Sequence, residues 1–134
     1  MVERLQGRIR FLDCSVEERA GTRCRARVVF GDAQEHTVTG TAERERAEDG
    51  EVWCAAEATV DGLREALGLD AEALRLQDVV PFAISDSLAV AVAVRAAVEG
   101  QNRQLLGLAQ AGDDRPRAAA LAVLSATNRF FASG

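Results

Sequence analysis

The stretch Leu88-Ala-Val-Ala-Val-Ala-Val-Arg-Ala-Ala-Val98 predicts a β-strand that is apolar on both faces. Side chains alternate between the two faces of a strand, so the valines and the alanines of this stretch separate. Valine marks one face and alanine the other, in the order Ala89, Val90, Ala91, Val92, Ala93, Val94. A strand of this kind must be covered on both sides.

The segments around this stretch predict two more strands and a helix. Val79 to Ile84 and Arg103 to Ala111 are strand candidates, and Pro81 places the first of them near a sheet edge or a bulge. The Ala-rich segment from Pro116 to Asn128-Arg129 predicts a helix that is apolar nearly all round and is therefore buried on more than one side. Asp113 and Asp114 lie at the positive end of its dipole.

The first half of the chain repeats this order. Gly7 to Val16, Thr22 to Phe30 and Gln34 to Glu43 predict strands, and a slip in the alternation predicts a bulge near Phe11–Leu12. From Glu51 the apolar residues recur every three or four positions, which predicts an amphipathic helix capped by Asp49 and ended by Gly68. The segment from Asp70 to Gln77 is predicted to link the halves with a short helical turn.

The sequence therefore predicts one α+β domain over the 134 residues, made of two βββα repeats with internal pseudo-symmetry. The repeats cover about 7–67 and about 74–131, and their helices are expected to pack on one face of an antiparallel sheet. Two helices are too few to cover a strand that is apolar on both faces. A second copy of the chain is the expected cover over Ala89 to Val94, which predicts a homodimer.

The region from Leu88 to Arg129 resembles the second half of the C-terminal regulatory domain of 2-isopropylmalate synthase, a dimerisation and leucine-sensing domain. The resemblance lies in the strand Leu88-Ala-Val-Ala-Val-Ala-Val, in Arg103-Gln-Leu-Leu-Gly107, in the acidic Gly112-Asp113-Asp114, and in the Ala-rich ending Ala-Thr-Asn128-Arg129. It implies a symmetric dimer of βββα modules that binds an amino acid at its interface and regulates a catalytic unit, here a separate enzyme subunit. The candidate ligand-binding residues are then Gly107, Gly112, Asp113 and Asp114. Capping of the last helix explains the two aspartates equally well.

A stripe of arginines, Arg23, Arg25 and Arg27, supports an alternative. Arg8 and Arg10 on the neighbouring strand could extend it, and the stripe could bind an anion or RNA phosphates. It could equally be a solvated face paired with nearby glutamates: Glu17, Glu18 and Glu35. No aromatic residues interleave with the stripe, and the net charge of −5 argues against nucleic acid as the main partner.

Candidate catalytic and metal-binding residues are few. His36 is the only histidine, and the three cysteines (Cys14, Cys24 and Cys54) read as buried free thiols, with Cys14 and Cys24 as possible cross-strand neighbours. No phosphate loop, dinucleotide fingerprint or metalloprotease motif is present, so no cofactor, metal site or catalytic residue is expected.

The odd cysteine count, the lack of a signal peptide and the lack of a run long enough to span a bilayer predict a cytoplasmic protein without membrane contact. The expected function is a non-catalytic homodimeric regulatory or small-molecule-binding module. An RNA- or protein-binding adaptor is the first alternative, and a small enzyme with a pocket between subunits is the second.

Overall fold

The computed structural model describes residues 9–18, 23–45 and 49–131. Six strands and two helices follow one another in the order β1 (Arg10–Glu18), β2 (Arg23–Gly31), β3 (Thr37–Glu45), α1 (Gly50–Leu67), β4 (Leu74–Ile84), β5 (Ser87–Val98), β6 (Gln101–Gln110) and α2 (Arg115–Phe131). The strands form two antiparallel three-stranded sheets, β1-β2-β3 and β4-β5-β6. The α+β class and the order of elements predicted from the sequence are confirmed, and the strands divide into two separate sheets.

The two βββα units are built alike down to their irregularities. The β1–β2 ladder shifts register between Phe11 and Asp13, and the β4–β5 ladder shifts between Leu76 and Asp78, the same place in the second unit. The bulge predicted near Phe11–Leu12 is confirmed. A bulge bends its strand and changes which residues face the core, so the two sheets bend at matching points.

Each helix crosses its sheet at a glycine, where the backbones come very close. A Cβ on Gly40 in β3 would lie 2.0 Å from the carbonyl oxygen of Ala58 in α1. A Cβ on Gly107 in β6 would lie 1.9 Å from the carbonyl oxygen of Ala122 in α2. Only glycine fits at either crossing. When the two crossings are matched, each residue of α1 corresponds to one residue of α2, starting from Ala58 and Ala122.

A side chain of each helix also forms hydrogen bonds with the backbone at the start of the first strand of the other unit. Asn128 in α2 pairs with the backbone of Ile9, accepting from its N–H at 3.0 Å and donating to its carbonyl at 2.9 Å. Arg64, at the matching position of α1, donates to the carbonyl of Leu74 at 2.7 Å. The helices pack against each other as well, so the two units share one core.

That core is made mostly of small side chains. Phe30, Leu63 and Leu74 are its largest fully buried members, and most of the remainder are alanines and valines. Small residues let helices and sheets approach closely, at the cost of tolerating little added volume.

Some predicted boundaries and contacts are wrong. Half of the segment from Asp70 to Gln77 is strand: the predicted turn is present at residues 71–73, but β4 already begins at Leu74. Cys14 and Cys24 are not cross-strand neighbours: Cys14 pairs with Val28, and Cys24 pairs with Glu18. The register runs unbroken from the Glu18–Cys24 pair to the Cys14–Val28 pair, and the bulge lies beyond both of them, between Phe11 and Asp13. Gly68 ends α1 with φ 68°, as predicted.

Candidate functional site

The outer face of the first sheet, the face turned away from α1, is polar. Its cross-strand rows combine opposite charges and hydroxyls: Asp13–Val29–Thr39, Ser15–Arg27–Thr41 and Glu17–Arg25–Glu43. Arg23 extends the stripe and lies 3.4 Å from Glu43. The predicted stripe of Arg23, Arg25 and Arg27 therefore exists, but glutamates flank it on both neighbouring strands. This favours a solvated face over an anion site, since the flanking carboxylates offset the positive charge. Arg8 lies outside the described residues, and Arg10 is at the far end of β1 from Arg25.

The matching rows of the second sheet are apolar except for Asp78 and Gln110 at their ends. They read Asp78–Ala93–Leu106, Val80–Ala91–Leu108 and Phe82–Ala89–Gln110. We call the surface formed by Val80, Phe82, Ala89, Ala91, Ala93, Leu106 and Leu108 the apolar face. Leu106 is 61% exposed, Leu108 53% and Val80 46%. Large apolar side chains exposed together on one face of a sheet are uncommon on a monomer and mark interaction surfaces.

The other side of β5 needs no second copy. Val90, Val92 and Val94 are buried against α2 and the shared core. Of the predicted interface residues, these three valines are covered within the chain, and only Ala89, Ala91 and Ala93 lie on the apolar face. The sequence pattern shows that both faces of β5 are apolar, but it does not show which face the chain covers itself.

An open groove of about 1310 Å³ begins at the apolar face and runs beside α2. One wall is the edge strand β6 with the outer-face residues Leu106 and Leu108, and the other is the start of β1 with Phe11. The exposed side of α2 closes the groove with Leu121 and Ser125. Sequence reasoning missed this groove, because it depends on how the edge strands of the two sheets are placed along α2.

Among the described residues, three arginines and no carboxylate line the groove. Arg117 lies over the ring of Phe11, with its Cζ 5.4 Å from the ring centroid. Arg129 donates to the carbonyl of Leu106 at 2.9 Å. The third is Arg10, at the start of β1. Within residues 9–18, 23–45 and 49–131, none of the three forms an ion pair with a carboxylate.

No protein-family model matches the chain, and no curated protein matches it. The function is therefore argued from the geometry of the molecule.

The matching position in the other unit holds a smaller groove of opposite character. It has a volume of about 340 Å³ and is lined by Glu43, Glu57, Asp61 and Arg64. The aligned helices place Glu57 where the larger groove has Leu121, and Asp61 where it has Ser125. The two grooves lie at matching positions of the same architecture and differ in charge and polarity. The apolar, cationic character of the larger groove therefore comes from its particular lining residues and not from the fold.

The candidate ligand residues from the sequence divide into two sets. Gly107 lines the large groove, although its close contact with α2 already accounts for the glycine. Gly112, with φ 55°, Asp113 and Asp114 form the connection before α2, outside the lining of the groove. The Asp114 carboxylate accepts from the backbone N–H of Arg117 at 3.0 Å, which is an N-cap interaction.

The thiols are poorly suited to nucleophilic chemistry. Burial raises the pKa of Cys54 to about 12, with the neighbouring Cys24 adding to the effect. Burial also raises the pKa of Cys14 to about 12, assisted by Asp114 and Asp13. A thiol must lose its proton to act as a nucleophile, so both sulfurs stay neutral at physiological pH.

His36 lies just before β3 and contacts Asp32, with its Nδ1 3.3 Å from Oδ2. The same buried carboxylate accepts from the backbone N–H groups of Gln34 and His36. Asp32 thereby organises the β2–β3 connection, which is a sufficient structural role for the pair.

In the part of the chain that the structure describes, no group of three or more His, Cys, Asp or Glu side chains could hold a metal ion. Neither described helix has the length and apolar character needed to cross a bilayer.

Proposed function

We propose that the protein is a non-catalytic, homodimeric small-molecule-binding module whose subunits meet through the apolar face. One observation carries the proposal: the matching face of the first sheet has the same strand geometry and is polar. Where the first sheet has Arg27 and Thr41, the second has Ala91 and Leu108. The fold tolerates charged side chains in these rows, so folding does not require the apolar residues of the second sheet. We attribute them to contact with another molecule.

A second copy of the chain suits the shape of this face. The alanines of β5 form a furrow, and larger side chains on β4 and β6 form a ridge on each side of it. Two copies related by a two-fold axis and displaced by one strand would place the β6 ridge of each copy in the β5 furrow of the other. Face-to-face packing of sheets uses this kind of interdigitation, and a two-fold axis uses each contact twice.

Apolar burial supplies part of the energy that a dimer needs. Covering the exposed half of Val80, Leu106 or Leu108 contributes about 1 kcal/mol each by apolar burial. Two-fold symmetry doubles that contribution, and the partly exposed Phe82, Ala91 and Ala93 add to it. The total, about 6 kcal/mol or more, exceeds the lower estimates of the cost of association, about 4 kcal/mol. A micromolar dimer needs about 8 kcal/mol net, so contacts around the apolar face must supply the remainder. The seam would also border the large groove, since Phe82, Ala91, Leu106 and Leu108 line both.

A regulatory role is the biological context that the proposal favours. A ligand groove that opens onto a subunit seam couples binding to association, because a bound ligand contacts both. We propose on this basis that the module senses a small molecule and acts on a separate enzyme subunit.

The test exchanges residues between the two sheets. The double variant Ala91→Arg/Leu108→Thr gives the second sheet the residues of the first, and Arg27→Ala on the first sheet is the matched control. Sedimentation velocity at micromolar concentration should show a dimer for the wild type and for Arg27→Ala, and a folded monomer for the double variant. A monomeric wild type, or a dimer that survives the exchange, would refute the proposed seam. Circular dichroism checks that the double variant is folded.

A further inference from the structure

We infer that the large groove beside α2 binds a monocarboxylate with an apolar body, and not a zwitterionic amino acid. The inference rests on the proposed binding function and names the class of ligand for the groove that borders the seam.

The charge of the groove selects an anion. Arg10, Arg117 and Arg129 line it together, and no carboxylate of residues 9–18, 23–45 or 49–131 lies in the lining to offset them. Guanidinium groups pair with carboxylates through two parallel hydrogen bonds. Each guanidinium has five N–H donors, so the one bond from Arg129 to the carbonyl of Leu106 leaves donors free.

Two of these arginines are already held in place. Arg117 is stacked over Phe11 on the β1 wall, and Arg129 is tied to Leu106 on the β6 wall. A positioned cation loses less side-chain freedom when a ligand arrives, and this favours binding.

The walls select an apolar body. Leu106, Leu108 and Leu121 line the groove, and the matched positions of the smaller groove include Thr41 and Glu57. Phe11 and Leu121 are partly exposed in the groove and are not part of the proposed seam, so a hydrocarbon chain laid along α2 would remove apolar surface from water. Burial of each methylene strengthens binding by up to about fourfold.

The described lining of the groove disfavours an amino acid. An ammonium group placed there would meet three guanidiniums and no carboxylate from the part of the chain that the structure describes. The nearest sequence candidates for that task, Asp113 and Asp114, lie outside the lining, and Asp114 caps α2.

The experiment is isothermal titration calorimetry of the full chain with octanoate, kept below its micellar concentration. Octylammonium and leucine are the comparison ligands, and hexanoate tests the contribution of chain length. We expect octanoate to bind, hexanoate to bind more weakly, and the two amine-bearing compounds to bind at least tenfold more weakly than octanoate. Leucine or octylammonium binding as tightly as octanoate would overturn the inference.

A matched pair of variants tests the site. Arg10→Gln removes one groove cation, and Arg75→Gln removes the arginine at the same position of the second unit, whose side chain is 56% exposed and lies 3.8 Å from Glu72. Arg10→Gln should weaken octanoate binding about tenfold, the usual effect of losing a charge-assisted hydrogen bond, and Arg75→Gln should leave it unchanged. Equal effects of the two variants would contradict the assignment of the site.

Sedimentation of the same samples separates this inference from the proposed function. A dimer that does not bind octanoate would mean that the ligand class is wrong while the seam stands. A monomer that binds octanoate and loses affinity with Arg10→Gln would support the site and refute the homodimer.

Discussion

Alanine at either glycine crossing is the most informative perturbation of the fold. Gly107→Ala would place its Cβ 1.9 Å from the carbonyl oxygen of Ala122 and 2.9 Å from the Cβ of Ala126. Ordinary contact is about 3.5 Å or more, so α2 must move away from β6 by roughly 1.5 Å. Gly40→Ala creates the same conflict with the backbone of Ala58 and Gly62 in α1.

The expected loss is about 2–2.5 kcal/mol for each variant. Overpacking a core costs about 1–3 kcal/mol when flexible side chains can yield, and here the obstacle is helix backbone, which favours the upper end. Alanine also restricts the unfolded chain, which returns about 0.5–1 kcal/mol. A loss of this size is a large fraction of the roughly 5–15 kcal/mol that stabilises an ordinary domain.

Urea unfolding measures the effect. Trp53, half-buried at the start of α1 with the Cζ of Arg44 5.0 Å from its ring centroid, is the single tryptophan and the fluorescence probe. Protein concentration is held fixed because association would add to the apparent stability. The control is Thr39→Ala, whose side chain is exposed on the outer face beside Gly40 and which should cost less than about 1 kcal/mol. Losses below 1 kcal/mol for both glycine variants would refute the close crossings.

Two further predictions concern the strand pins and the thiols. Asn128→Ala removes both hydrogen bonds to the backbone of Ile9 and should lower the free energy of unfolding by about 2 kcal/mol, with faster amide exchange at Ile9; unchanged exchange there would contradict the pin. The raised pKa of Cys54 means that its proton is retained in the folded state at pH values where the unfolded thiol, with an ordinary pKa of 9.0, loses it. Stability should therefore be constant with respect to this group below about pH 8 and fall above pH 9, by up to about 1.4 kcal/mol per pH unit, as followed by urea unfolding of Cys54→Ala beside the wild type. Equal pH dependence of the two proteins would argue against a buried neutral thiol at this position.

The element order could be predicted from the sequence because alternation and helical periodicity are local. The same alternation located the bulge near Phe11 and the two-sided apolar character of β5. The role of Gly40 and Gly107 could not be predicted, because a missing side chain leaves no hydropathy signal. The groove was also beyond sequence reasoning: Arg10, Arg117 and Arg129 are far apart in the chain and meet only through the placement of β1 and β6 along α2. One sequence signal for the groove was available: when the two units are aligned, the acidic Glu57 and Asp61 of α1 correspond to the uncharged Leu121 and Ser125 of α2.

The seam itself can be observed directly by nuclear magnetic resonance on a mixture of isotope-labelled and unlabelled chains. Filtered nuclear Overhauser spectra report only contacts between different copies. Cross-peaks should join the methyl groups of Leu106 and Leu108 in one copy to those of Ala91 and Ala93 in the other. Spectra with no cross-peaks between copies, or with cross-peaks only at the Arg25 and Thr41 rows of the first sheet, would contradict the account.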